Sequence, residues 1–143
     1  MAVSIPDFLR QDLHRTPQGS TFCFSYTPLD RTTVHNANLL GASLLARLYR
    51  ITGQEDLRDD ALASLAYSMG CQQPDGSWYY AETSYQRWLD SFHTGFNLQS
   101  LRYFLAEGLA EEFRPEFENG VRFYAERFFL ADGTPKYFHD RVY

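Results

Sequence analysis

Apolar residues recur at helical spacing in four long segments of this 143-residue chain, and the four segments are of two kinds. In the segment from Asn36 to about Arg50, and in the one that starts at Asp90 or Ser91, apolar residues cover most of the helix surface. That pattern is typical of a helix flanked by protein on most sides. The segments from Glu55 to Gly70 and from Pro115 onward carry a single apolar stripe, which predicts one wet face. The order predicts two helical hairpins, each a buried helix followed by a striped one.

The residues before the first hairpin follow weaker patterns. Pro6 predicts the start of a short helix, because proline is well suited to the first helical turn. Residues 16 to 34 are predicted as a loop with extended pieces, since Phe22, Phe24 and Tyr26 alternate with small or polar residues. The long helices therefore dominate the predicted fold.

Three short turns, centred on Gly19, Gly76 and Gly133, recur at a fixed spacing of 57 residues. A period of this size indicates a stacked supersecondary unit that cannot bury its apolar face alone. His35 precedes the first buried run and His93 precedes the second, a spacing of 58 residues that supports the same repeat. We expect Gly76 and Gly133 to adopt equivalent backbone conformations.

The predicted fold class is all-α, with stacked α/α hairpins in a single domain over residues 1–143. The domain would hold about two and a half repeats of 57 residues. A stack of this kind leaves two open flanks, and contiguous exposed apolar surface is rarely tolerated by a monomer. A homo-oligomer is therefore predicted, most simply a two-fold dimer.

Composition and charge exclude several classes of function. The formal net charge is −5, and phosphate binding needs clustered cations, so a nucleic-acid partner is not predicted. Lys136 is the single lysine, which leaves one candidate for Schiff-base chemistry. Cys23 and Cys71 have neither a paired spacing nor a nearby histidine pair, so neither a metal site nor a cofactor is predicted. Residues 1–6 contain no basic or long apolar stretch, which predicts a cytoplasmic protein without a membrane span.

The turn after the first striped helix contains Gln72-x-x-x-Gly76-x-Trp78, which matches the QW motif of terpenoid cyclases. Three longer stretches carry more of the resemblance: residues 35–38, residues 87–96, and residues 132–137 together with residues 140–143. Together these motifs resemble bacterial α/α-toroid proteins associated with polysaccharide biosynthesis, similar in architecture to the six-hairpin glycosidases. The resemblance covers the chain from about residue 8 to residue 143.

The resemblance implies a ring of six helical hairpins, an (α/α)6 toroid, of which this chain would be a fragment. Six repeats of this length need roughly 340 residues. Terpenoid cyclase activity is not predicted, because the chain has neither a DxDD nor a DDxxD acidic motif. The QW-like turn has two readings: Trp78 contacts a substrate, or Gly76 and Trp78 shape and cover a helix end.

Asp90 and His93 form the best candidate catalytic pair. In an α/α toroid the starts of the inner helices line the central funnel, so a carboxylate and an imidazole there suit acid–base chemistry on a sugar or lactone. The alternative is structural: Asp90 caps its own helix and His93 is buried beside a hydrogen-bond partner. Both readings remain open from the sequence.

Six further residues are predicted to bind substrate. Arg87 offers a fork for a carboxylate, and the aromatic residues beside it offer a stacking platform, which is the usual surface for acidic sugars. Alternatively, these rings belong to a core that the rest of a larger toroid would cover. His35, with Asn38 beside it, would line one wall together with His93, or alternatively the two histidines preserve packing in each repeat. The six residues are His35, Asn38, Trp78, Tyr79, Arg87 and Trp88.

Two functions follow from the sequence. The first is a carbohydrate processing or binding domain, whose ligand is a bacterial polysaccharide or a uronic-acid-type sugar. The second is a non-catalytic assembly or interaction module left from a larger toroid. Most glycoside hydrolases use two carboxylates, and only Asp90 is well placed at the start of a buried helix.

Overall fold

The computed structural model describes residues 4–142, and it contains four long or medium helices, one short helical segment and a two-stranded sheet. The short segment is a helical turn continued by a π-helical turn at Phe8–Asp12. The elements are α1 (Ile5–Asp7), β1 (Arg15–Gln18), β2 (Thr21–Phe24), α2 (His35–Thr52), α3 (Glu55–Gly70), α4 (Ser91–Ala106) and α5 (Arg114–Arg127). Short 3-10 turns lie at Ser84–Gln86 and Glu111–Phe113.

The predicted all-α toroid is wrong, because β1 and β2 pair as an antiparallel hairpin and give the chain a mixed α/β fold. The register runs from Arg15 opposite Phe24 to Gln18 opposite Thr21. Phe22 and Phe24 form an edge-to-face pair with ring centroids 4.9 Å apart, and β2 packs on α3 and α2. The sequence shows the alternation, but strands of four residues are too short to separate from an extended loop by pattern alone.

The predicted helices are present close to their predicted bounds. α3 spans Glu55–Gly70 as predicted, and α5 begins one residue before Pro115. α2 ends at Thr52, and the capping residue Gly53 adopts a left-handed conformation with φ of 71°, the usual signal for a helix stop. Asp90 is the N-cap of α4, and Ser4 is the N-cap of α1.

The helices pack as two hairpins, α2 with α3 and α4 with α5, and α2 also packs against α4. The buried apolar cluster draws on β2, α2, α3 and α4, with Trp78 inserted from the loop after α3. Phe117 and Tyr124 of α5 are partly buried and pack against it. Neither α2 nor α4 is buried all round: Leu40 and Phe92 are exposed on their outer sides. The hairpins therefore share one core but keep open faces.

The turns at Gly76 and Gly133 have the predicted equivalent conformation, with φ of 91° and 83°. In each turn the glycine N–H donates to the carbonyl three residues earlier at 2.9 Å. The residue that provides this carbonyl donates its own N–H to the residue after the glycine, at 2.8 Å in one turn and 2.9 Å in the other. Gly19 also has a positive φ, of 59°, but it lies in the turn between β1 and β2.

After each of these two turns the chain returns to the start of its own hairpin. Val34, which precedes α2, forms a β-bridge with Ala81, and Asp90, which precedes α4, forms one with Phe138. These bridges hold the loop after the Gly76 turn against the start of α2, and the segment after the Gly133 turn against the start of α4. None of the helices within residues 4–142 combines the length and the apolar character that crossing a bilayer requires.

Candidate functional site

Three of the residues predicted to bind substrate, Tyr79, Arg87 and Trp88, line one cleft of about 330 Å³. The loop after α3 supplies these three, and the segment after the Gly133 turn supplies the opposite side. The remaining lining residues are Leu89, Phe138, His139, Asp140 and Arg141. The β-bridge at Asp90 holds the two segments together, so the cleft exists because each hairpin is closed at its base.

The cleft combines aromatic rings with cations. The guanidinium carbon of Arg87 lies 5.4 Å from the ring centre of Tyr79, and that of Arg141 lies 5.0 Å from the ring centre of Phe138. Each guanidinium also has an acidic neighbour: Arg87 lies 3.8 Å from the carboxylate of Glu82 and donates from Nε to the Glu82 carbonyl at 3.2 Å, and Arg141 lies 3.6 Å from the carboxylate of Asp140. A ligand carboxylate would share or replace these contacts while the rings hold the guanidinium groups in place. Both arginine side chains are about half exposed or more. Trp88 is 37% exposed, which leaves ring surface open to a ligand.

Trp88 also connects the cleft to the predicted catalytic pair. Its indole N–H donates to Oδ2 of Asp90 at 2.9 Å, and its ring stacks on Tyr80 with centroids 4.5 Å apart. The Tyr80 ring meets the edge of His93 at 4.5 Å as well. Burial raises the pKa of Tyr80, and the nearby charges of Tyr26 and Asp90 act in the same direction.

Asp90 is buried and fully engaged by protein. Its Oδ1 accepts the backbone N–H of His93 at 2.8 Å, which is the N-cap bond of α4. Its Oδ2 accepts the indole N–H and lies 2.7 Å from Nδ1 of His93. A carboxylate at this distance favours the tautomer in which Nδ1 carries the proton and Nε2 is basic.

The geometry gives the two predicted catalytic residues different positions. The side chain of Asp90 has no exposed surface, so this carboxylate orients the imidazole and does not meet a ligand directly. The side chain of His93 is 23% exposed, and its Nε2 is the group of the pair that could exchange a proton with solvent or ligand. Neither residue belongs to the lining of the cleft. Their catalytic role stays a prediction.

Asn38 lies in the interior and joins the sheet to both helices of the first hairpin. Its Oδ1 accepts the backbone N–H of Phe24 at 2.8 Å and the hydroxyl of Ser64 at 2.7 Å. Its Nδ2 donates to the Ser64 carbonyl at 2.8 Å and to Oγ of Ser68 at 3.0 Å. Because all four hydrogen-bonding positions of the amide are used, the structure gives Asn38 a structural role in place of the predicted substrate contact.

His35 is equally buried, and it does not occupy the same position as His93. It is the first residue of α2, whereas His93 is the third residue of α4. Its Nδ1 lies 3.1 Å from Oγ of Ser68, and its Nε2 lies 3.0 Å from Oε1 of Glu82. This Ser–His–Glu chain has the composition of a hydrolase triad, but Ser68 and His35 have no exposed surface, so a substrate cannot reach the hydroxyl.

Trp78 is also an interior residue. Its indole N–H donates to the Ser68 carbonyl at 2.8 Å, and its ring covers Gly120 of α5. Gln72, the first residue of the QW-like motif, donates to the carbonyls of Gly76 and Glu116 at 3.0 and 2.8 Å. These contacts support the structural reading of this motif, in which it ties the end of α3 to α5.

Two residues that sequence reasoning did not select, Cys71 and Glu82, meet His35 in space. One potential ligand atom from each of the three lies within 4.8 Å of the others. The hydrogen bond from His35 lowers the pKa of Glu82 and outweighs the opposing effect of burial. Burial, followed by the charge of Glu82, raises the pKa of the Cys71 thiol to about 11. The sequence spacing does not predict this cluster, because its members come from three separate parts of the chain.

Comparison with protein-family models, curated proteins and solved structures finds no match to this chain.

Proposed function

We propose that the chain is a carbohydrate-binding domain whose ligand is an acidic, uronic-acid-type saccharide held in the cleft of Tyr79, Arg87 and Trp88. The observation that carries the proposal is the convergence of exposed ring surface and two exposed guanidinium groups in one cleft. Residues 87–96 also carry part of the resemblance to polysaccharide-associated bacterial proteins. The cleft and the resemblance therefore support the same class of ligand.

The chemistry of an acidic sugar fits both components of the cleft. The C–H face of a pyranose ring packs against an aromatic ring, and Trp88 offers exposed ring surface for this contact. A uronate carboxylate accepts paired N–H bonds from a guanidinium, a role that suits Arg87 and Arg141. The volume of about 330 Å³ is small, near the lower end of the roughly 300–1,000 Å³ of ligand pockets. The cleft therefore suits one or two sugar units of a longer chain.

Binding, and not turnover, is the core of the proposal. Glycoside hydrolysis uses two carboxylic groups on either side of the scissile bond. Asp140 is the carboxylate that lines the cleft, while Asp90 is buried beneath Trp88. If the protein also processes the sugar, we propose that His93 acts as the base next to the cleft, as a subsidiary part of the proposal.

Titration with defined oligosaccharides tests the binding proposal. Tryptophan fluorescence, which reports on Trp88 at the cleft, is followed during addition of an oligogalacturonate and of a neutral oligosaccharide of equal length. We expect saturable binding of the acidic oligosaccharide that weakens with added salt, because the arginine contacts are exposed. Equal binding of the neutral oligosaccharide, or no binding of either at millimolar concentration, contradicts the proposal.

Two matched arginine variants identify the surface involved. Arg87→Gln should weaken binding about tenfold or more, the effect of losing one charge-assisted contact of about 1.5–3 kcal/mol. Arg122→Gln removes an exposed arginine from α5, away from the cleft, and should bind as the parent does. Circular dichroism of both variants checks that the fold is kept. Equal losses in the two variants would indicate non-specific attraction to cationic surface.

Self-association is a second candidate function, favoured by exposed apolar side chains on the first buried helix and at the start of the other. Leu40 is 46% exposed, Ile51 80% and Phe92 55%. Exposed apolar side chains can be covered by a second copy of the chain. Light scattering at low micromolar concentration distinguishes the cases, and a stable monomer excludes this second function.

A further inference from the structure

The strongest unassigned cluster of chemically active groups lies at the base of the first hairpin. His35 is the first residue of α2, Cys71 is the C-cap of α3, and Glu82 follows the β-bridge that returns to the hairpin. Each contributes one potential ligand atom, and the three atoms lie within 4.8 Å of one another. An imidazole nitrogen, a thiolate sulfur and a carboxylate oxygen are the three donor types that zinc accepts in proteins.

We propose that His35, Cys71 and Glu82 bind a zinc ion through Nε2, Sγ and a carboxylate oxygen. The ion would be tetrahedral, with three protein ligands and a fourth position open to water from the partly exposed side of Glu82. This inference does not rest on sugar binding, although Glu82 also lies 3.8 Å from Arg87 of the cleft.

The distances leave room for this arrangement after a small adjustment. Nε2 of His35 and Oε1 of Glu82 are 3.0 Å apart, and ligand atoms about 2.0–2.1 Å from a tetrahedral zinc are separated by about 3.3 Å. With a Zn–S distance of about 2.3 Å, sulfur and nitrogen ligands are about 3.6 Å apart. The sulfur therefore needs to move by about 1.2 Å at most, which rotation of the partly exposed Cys71 side chain can supply.

The second coordination sphere suits either state of the site. Without metal, Nε2–H of His35 donates to Glu82, and Nδ1 accepts the hydroxyl hydrogen of Ser68. When Nε2 binds the ion, the proton moves to Nδ1, which then donates to Oγ of Ser68. Asn38 already donates to the same oxygen, and a hydroxyl oxygen has two acceptor positions, so Ser68 accepts both bonds. A hydrogen-bonded second ring nitrogen is the usual condition of a zinc-binding histidine.

The ion would stabilise the base of the first hairpin by joining its three segments. Its ligands come from the start of α2, the end of α3 and the returning loop. The loop is joined to the start of α2 by one isolated β-bridge and by backbone hydrogen bonds from His35 to Tyr80 and from Glu82 to Thr33. The end of α3 is joined to α2 here by side-chain hydrogen bonds of Ser68. Zinc that binds the folded chain more tightly than the unfolded chain stabilises the fold by mass action. At the corresponding base of the second hairpin, the side chains of Trp88 and His93 are hydrogen-bonded to Asp90, and there is no cysteine.

Cobalt substitution tests the ligand set on the untagged full chain. Co²⁺ bound to a thiolate gives a charge-transfer band in the near ultraviolet, and a tetrahedral site gives strong visible bands. We expect both signals to reach a plateau at one equivalent of Co²⁺ and to disappear when Zn²⁺ is added. The absence of a thiolate band at saturating Co²⁺ would overturn the proposal.

Two matched cysteine variants separate this site from chance thiol binding. Cys71→Ala should abolish the charge-transfer band, whereas Cys23→Ala, which removes the buried thiol of β2, should keep it. A band that survives in Cys71→Ala, or one that is lost in both variants, refutes the three-ligand set. Glu82→Gln, compared with the exposed Glu126→Gln on α5, provides a pair that leaves both thiols in place, and only Glu82→Gln should weaken Co²⁺ binding.

Thermal unfolding gives a readout that does not depend on spectroscopy. At a zinc concentration a hundredfold above Kd, the melting temperature of a chain of this length should rise by roughly 9 °C. Cys71→Ala should show no such rise, while Cys23→Ala should retain it. A melting temperature of the parent that is unchanged by zinc contradicts the inference.

Discussion

Replacement of Gly120 by alanine should destabilise the protein, although a glycine-to-alanine substitution inside a helix usually stabilises it. It lies inside α5, where glycine is about 0.8–1 kcal/mol less favourable than alanine. A β-carbon there would lie 2.7 and 2.9 Å from two atoms of the Trp78 ring and 2.8 Å from a methyl group of Leu98. Contacts below 3.0 Å require a neighbour to move, so propensity and packing act in opposite directions.

We expect the cost of overpacking to exceed the gain in helix propensity, because Trp78 cannot move easily. It is buried, and its indole N–H is fixed by a 2.8 Å bond to the Ser68 carbonyl. Overpacking a core by one methyl group costs about 1–3 kcal/mol when side chains or backbone must shift. Since three contacts are too short, we place the cost at the upper end of that range. Gly120→Ala should therefore lower the free energy of unfolding by about 1–2 kcal/mol after the gain in helix propensity.

Gly95 provides the matched control on the other helix of the same hairpin. A β-carbon at this position in α4 would lie 3.6 to 3.9 Å from the Tyr124 side chain, which is ordinary contact. Gly95→Ala should therefore raise the free energy of unfolding by up to about 1 kcal/mol. Urea denaturation followed by far-ultraviolet circular dichroism measures both. A Gly120→Ala protein that is as stable as the parent would show that Trp78 is loosely held, and the packing argument would fail.

Three further perturbations have expected outcomes. Gly76→Ala should lower the free energy of unfolding by at least about 3 kcal/mol, because φ is 91° and a β-carbon would overlap the backbone carbonyl of Asn119 in α5. Gly133→Ala, with φ of 83° in open space, should lower it by about 1 kcal/mol, and equal losses in urea titrations would refute this difference. Asp90→Asn should lose about 1–3 kcal/mol, since an amide N–H₂ would face two N–H donors, and an unchanged melting temperature would contradict the assigned bonds. Burial acts to raise the pKa of Asp30, but hydrogen bonds from neighbouring threonines lower it to about 2. A carboxylate whose pKa is lowered in the folded state stabilises the fold at pH values above its ordinary pKa, and this stabilisation is lost as pH falls toward 2. The parent should therefore be more stable than Asp30→Asn by about 1 kcal/mol at pH 6, after solvent screening, and the difference should vanish near pH 2. A difference that is constant between pH 6 and pH 2 would contradict the shifted pKa.

The helices were predictable because local signals determine them. Gly53 stops α2, acidic residues fill the first turn of α3, Pro115 opens α5, and Asp90 caps α4, each through interactions within a few residues of the helix end. The β-hairpin was not predictable by the same means. Cys23 is buried between Phe22 and Phe24, so both faces of this strand are covered, and the burial of both faces depends on contacts with the helices.

The candidate site was predictable only where its residues are close in sequence. Arg87 and Trp88 adjoin one another and were selected together, but Arg141 reaches the same cleft through the bridge at Asp90, which no local pattern announces. The spacing of 58 between His35 and His93 suggested equivalent positions. The capping residues Val34 and Asp90 show that the helices start in a different register, so the two histidines face different surroundings.

Each helical hairpin ends beside the place where it begins. Val34 and Ala81 are neighbours, as are Asp90 and Phe138, although about fifty residues separate the members of each pair. A segment whose two ends are adjacent can be copied in tandem and inserted beside its parent without rerouting the chain. Duplication of the underlying DNA would thus lengthen such a protein by whole hairpins, and each added copy would bring its own turn, bridge and cap.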